Sequence, residues 1–117
     1  MLERKIKELC GCLKTLKAAW DAYENSFYAG SVARGVAENL ETDCMVKLAL
    51  LLPHLKSWAY PEEVHRAMVE VGLVMDEVDY VGWKCRFTTR AGEVVSVDGQ
   101  TGQITRSEPK LAAVVVF

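Results

Sequence analysis

Leu2, Ile6, Leu9, Leu13, Leu16, Trp20, Tyr23 and Phe27 recur at steps of four and three along the start of the chain. A helix gathers residues at those spacings onto one stripe, and unbroken four-three alternation is the coiled-coil form of that stripe. The pattern predicts a first helix from about Leu2 to Tyr28 whose apolar seam must be covered. At 1.5 Å per residue such a helix is about 40 Å long. A domain of this size has a radius of gyration of only about 13 Å, so the helix should run the length of the domain or project from it.

Ala29-Gly30-Ser31 breaks the pattern, with Ser31 as a candidate N-cap. A second helical stretch is expected from about Val32 to Trp58, its stripe passing through Ala33, Ala37, Leu40, Cys44, Leu48, Leu51, Leu55 and Trp58. The step from Cys44 to Leu48 slips the register, and Pro53 should kink or restart the helix. Two long antiparallel helices joined by a tight turn follow from this spacing. Tyr60-Pro61-Glu62-Glu63 reads as a third helix start, with the acids at the positive end of the dipole. Val64, Met68, Val71, Met75 and Val78 keep four-three spacing, which predicts that this helix continues to about Val78. The competing reading ends it at Gly72 and makes Leu73–Val81 a strand.

From Gly82 the period becomes two. Trp83, Cys85, Phe87 and Thr89 alternate with Lys84, Arg86, Thr88 and Arg90, the mark of a half-buried strand. Ala91-Gly92 turns the chain into Glu93–Val97, and Asp98-Gly99-Gln100-Thr101-Gly102 turns it again into Gln103–Arg106. The wholly apolar Leu111–Phe117 reads as a last strand covered on both faces or paired with another chain. The expected fold is α+β. A long N-terminal helical hairpin and a third helix precede a C-terminal antiparallel meander of three or four strands. All 117 residues are expected to form a single domain, helical over 1–80 and β over 82–117.

The stretch Pro61–Ile104 resembles a PepSY domain, a small helix-plus-hairpin module. The similar residues are the helix Glu62–Val71, Gly72, and the hairpin ending Val97-Asp98-Gly99-Gln100-Thr101-Gly102-Gln103-Ile104. The resemblance covers well under half of the chain. PepSY proteins are typically exported or membrane-linked, whereas no export signal is read here. The likeness is that of common hairpin turn chemistry, and no function is carried over from it.

Composition narrows the classes. Half of the residues are apolar and 26% are charged, a globular balance. No apolar run approaches a membrane span, so a soluble, cytoplasmic protein is expected. Cys10 and Cys12 point about 200° apart on one helix, and Cys44 and Cys85 stand alone in the sequence. The paired spacing of a zinc site is absent, so four reduced, unligated thiols are expected. Glu62-x-x-His65 matches half of a di-iron helix motif, but no second copy accompanies it. No nucleophile–base pair, phosphate loop or calcium loop emerges, and neither enzymatic activity nor a cofactor is expected.

Charge is arranged in blocks. Residues 1–20 carry five basic and two acidic groups, residues 21–82 four and eleven, and residues 83–117 five and three. Lys84, Arg86 and Arg90 on one strand face, and Arg4, Lys7 and Lys14 on the outer face of the first helix, form the candidate interaction surface. The function expected is non-catalytic protein binding, as a small regulator, inhibitor or assembly subunit, with a homodimer as the expected assembly. The alternative is a small-ligand site or an enzyme without a sequence signature, with Trp20, Tyr23, Phe27, Trp58 and Trp83 lining a pocket between hairpin and sheet. Nucleic-acid binding through the basic faces is a further alternative, disfavoured by the acidic pI near 5.7.

Overall fold

A computed structural model describes residues 2–25 and 30–107. Helix α1 (Leu2–Glu24) is followed by α2 (Gly30–Leu51), two short 3-10 turns (Leu52–His54 and Lys56–Trp58) and α3 (Glu62–Val71). Strands β1 (Val74–Asp79), β2 (Lys84–Thr88), β3 (Val94–Asp98) and β4 (Ile104–Ser107) complete the fold. The four strands form an antiparallel sheet in chain order. The chain is thus α+β, with its helices ahead of its meander.

The seam is what the four-three spacing requires. Leu9, Leu13, Leu16 and Trp20 are buried along α1, and both α2 and α3 pack on that helix. Its 23 residues span about 35 Å, against a longest molecular dimension of 44 Å. The positions 26–29, which carry the expected end of this helix, lie outside the described residues, as does the apolar run 111–117.

The slip in the second stripe has a packing cause. α2 meets α1 on one side and β2 and β3 on the other. It therefore buries a broad band, including Ala37, Cys44, Met45, Leu48, Ala49 and Leu51, where a single seam would bury a narrow one. Pro53 ends the α-helix and opens the first 3-10 turn, because proline cannot donate to the helical ladder. The Tyr60 hydroxyl donates to the Leu48 carbonyl and ties the following segment back to α2.

The expectation of a third helix reaching Val78 is corrected. α3 stops at Val71, and Gly72 takes a left-handed conformation (φ 77°). The Gly72 N–H donates to the Val69 carbonyl and the Leu73 N–H to the Met68 carbonyl, the two bonds of a Schellman cap. Glycine adopts this conformation without the steric penalty a Cβ brings. β1 follows directly and pairs with β2, with a bulge between Met75 and Glu77. Cys85 and Phe87 of β2 and Val95 and Val97 of β3 are buried beneath the helices. No helix among the described residues is long and apolar enough to cross a membrane.

Candidate functional site

The six basic residues read from the sequence separate in space and in role. Lys84 and Arg86 do project from the exposed side of β2, where Arg86 pairs with Glu77 at 3.1 Å. Arg90 lies beyond the end of β2, in the turn to β3, and its guanidinium reaches Glu24 at 2.7 Å and Asp21 at 3.3 Å. Arg90 thus clamps the turn onto the end of α1. Arg4, Lys7 and Lys14 are exposed on α1, with Arg4 beside Glu8 at 3.7 Å. Three of the six therefore face the chain's own carboxylates, which reduces the charge they offer to phosphate.

Beneath the Arg90 turn sits a buried acid. Glu41 is 4% exposed and accepts from the Arg90 backbone N–H at 3.3 Å. Burial pushes its carboxyl pKa up, partly offset by that hydrogen bond. The fold thus favours the neutral acid, and the residue's contribution to stability declines as pH rises through its folded-state pKa. Glu41→Gln keeps an acceptor without the charge. Its melting temperature should exceed that of the wild type at pH 7 by more than it does at pH 4. Equal differences at the two pH values in scanning calorimetry would contradict this assignment.

The pocket expected between hairpin and sheet exists in another form. An open cleft of about 730 Å³ lies between the start of α1, the end of α2 and two turns of the sheet. Leu9, Leu50, Leu51, Pro53 and Trp83 give it apolar walls, and Lys5, Glu8, Lys47 and His54 supply its ionisable groups. Of the five aromatics expected to line it, Trp83 does so. Trp20 is in the core with Tyr23 edge-on against it at 5.8 Å, Phe27 lies outside the described residues, and Trp58 packs elsewhere.

Trp83 has a second set of neighbours. Its ring stands 5.6 Å from Trp58 and 5.8 Å from Tyr80, and those two rings are 5.6 Å apart. The triad is open to solvent, with Trp58 52% and Tyr80 50% exposed and the adjacent Val81 93% exposed. Among the described residues the non-glycine positions with left-handed backbone are Ser57, Trp58 and Trp83, at φ of 58°, 51° and 55°. All three belong to this cluster or adjoin it. A bulky side chain in that region is sterically disfavoured by roughly 1–2 kcal/mol.

The fold holds this geometry from behind. The Gly99 N–H donates to the Trp83 carbonyl at 2.6 Å. A Cβ on Gly99 would sit 2.7 Å from that carbonyl oxygen and 2.9 Å from the Ala49 carbonyl oxygen. Gly99 is thus required by close approach, pinning the β1–β2 turn against α2. The alternation of Trp83 with Cys85 and Phe87 concealed this, since Trp83 lies in the turn and outside the strand.

Against known proteins, the chain matches no family model, no curated sequence and no solved structure.

Proposed function

We propose that this protein is a non-catalytic binding module that receives a protein partner on the Trp58–Tyr80–Trp83 face and in the cleft beside it. The observation that carries the reading is the pair of tryptophans held in left-handed backbone around an exposed aromatic cluster. Backbone strain of that kind persists where the surrounding structure imposes it, and it concentrates at functional sites. Exposed tryptophan and tyrosine beside a pocket are also the commonest anchors of protein interfaces. The partner is a segment with an aromatic or large aliphatic side chain next to an aspartate or glutamate. The apolar group enters the cleft against Trp83, Leu50 and Leu51, and the acid faces Lys5 and, in competition with Asp43 at 3.0 Å, Lys47.

The cleft alone also suits a small acidic ligand, since its volume falls within the range of about 300–1,000 Å³ typical of such sites. That is the second reading. It leaves Trp58, Tyr80 and Val81 uncovered, which is why the protein partner is preferred. The homodimer remains a proposal on narrower grounds. The α1 seam is covered within the chain by α2 and α3, so it no longer argues for pairing, and the apolar run 111–117 lies outside the described residues.

Selection of displayed random peptides on the immobilised protein tests both readings. Enriched peptides should carry an aromatic or aliphatic residue beside an acid. Trp58→Ala should weaken their binding by about 30-fold or more, the scale of a hot-spot residue, and Lys47→Glu should weaken it further. Ligands lost on Trp83→Ala but indifferent to Trp58→Ala would favour the small-ligand reading, because Trp58 does not line the cleft. Peptides that bind both tryptophan variants like the wild type would overturn the site altogether.

A further inference from the structure

The four cysteines are free thiols, and two of them meet. Cys12 lies twelve residues before the end of α1, and Cys44 fourteen residues after the start of α2. In an antiparallel hairpin such positions come level. The Cys44 Sγ lies 2.9 Å from the Cys12 Sγ, within an ångström of the roughly 2.05 Å of a disulfide bond. Cys12 is half-buried and reachable from solvent, with the Asp43 carboxylate at 3.8 Å and the Lys47 ammonium at 4.0 Å, whereas Cys44 is fully buried.

We infer that Cys12 and Cys44 are a thiol-modification site, a dithiol that low-molecular-weight disulfides convert reversibly to an α1–α2 cross-link. The Cys12 thiolate attacks one sulfur of the small disulfide, forming a mixed disulfide and releasing one thiolate. Cys44 then attacks the Cys12 sulfur, closing the protein disulfide and releasing the second thiolate. The two protons given up by the cysteines end on the two released thiols. The protein loses two electrons and the small disulfide gains them, so excess small thiol runs the sequence backwards.

The order of events follows from access. Burial and the neighbouring Cys12 push the Cys44 thiol pKa up, so Cys44 is a poor first nucleophile. It becomes effective once a mixed disulfide is placed against it, because its target is already in contact. The remaining cysteines are poor competitors. Cys85 is buried beneath the helices, and burial pushes its thiol up to about 11. Cys10 points to another side of α1 from Cys12. The inference rests on the helix–helix geometry and is independent of the docking reading.

The experiment is incubation of the full chain with oxidised glutathione under native conditions, followed by intact-mass and peptide analysis. The wild type should become lighter by about 2 Da, with one cross-linked peptide joining Cys12 to Cys44 and no lasting glutathione adduct. A bridge closing a loop of this length should raise the melting temperature by roughly 10 °C, and dithiothreitol should reverse both changes. Cys44→Ser should instead accumulate glutathione on Cys12. Cys12→Ser, at a half-exposed position, should fold normally and show neither bridge nor thermal shift, which keeps the test decisive if Cys44→Ser fails to fold. Four free thiols after prolonged exposure, a persistent adduct on wild-type Cys12, or a bridge through Cys10, Cys85 or a second chain would each overturn the inference.

Discussion

Leu13→Asp is expected to leave the chain without a cooperative fold. Leu13 is 1% exposed at the centre of the α1 seam, where α2 and α3 both pack on the helix. Truncating a buried leucine costs about 2–5 kcal/mol through lost transfer energy and a residual cavity. An unpaired carboxylate in the same place adds several kcal/mol more, unless it takes up a proton. A domain of this size has only about 5–15 kcal/mol of stability in total. Circular dichroism should show reduced helix and no sharp thermal transition. Leu2→Asp, at the exposed beginning of the same stripe, should change stability by about 0.5 kcal/mol or less. A Leu13→Asp protein that melts like the wild type would mean that the seam is not the core.

Gly99→Ala should be the most damaging change of a single methyl group. The new carbon would lie within 3 Å of two backbone carbonyl oxygens, those of Trp83 and Ala49. Neither is the free end of a flexible side chain, so relief requires moving the β1–β2 turn away from α2. Overpacking of this kind costs about 1–3 kcal/mol. Displacing the Gly99 N–H from the Trp83 carbonyl adds about 1 kcal/mol, for a total of about 3 kcal/mol. Trp83 would move with the turn, so its fluorescence should shift along with the lower melting temperature. An unaltered melting temperature and emission spectrum would show that the close approach is not a constraint.

The helical half was legible because its code is local. Leu9, Leu13, Leu16 and Trp20 announce a one-sided helix, and burial confirms each of them. The alternation of Cys85 with Phe87 and of Val95 with Val97 likewise fixes the inner face of the sheet. The segment after Gly72 misled for a definable reason. The bulge between Met75 and Glu77 inserts one residue, so Met75 and Val78 face the same side at a spacing of three. A bulged strand therefore imitates one helical step, and the decisive mark was Gly72 itself, in a Schellman cap.

The candidate site was less legible, because it is made by backbone conformation and long-range approach. Nothing in the pattern around Ser57-Trp58 or Gly82-Trp83 says that those tryptophans adopt positive φ. Nothing local says that Gly99 must fit between Trp83 and Ala49. The Cys12–Cys44 contact did leave a trace, since Cys12 flanks the first stripe and Cys44 lies in the second, at similar distances from the turn of an antiparallel hairpin. The trace becomes legible when the pairing of the two helices is combined with the cysteine positions.

The bulge has one more consequence. β1 is at the end of the strand order, and among the described residues it pairs with β2 alone. Among the described residues nothing pairs with its other side, and an unpaired edge is the usual template for runaway strand addition between molecules. Along that edge the bulge interrupts the regular repeat of donors and acceptors, and Asp76, Glu77 and Asp79 are exposed. A second copy arriving in register would meet both a mismatched ladder and a row of like charges. Bulge and exposed acids are the devices by which natural sheets discourage strand addition at an edge, and the acidic cluster, which suggests no chemistry, is placed where such a device acts.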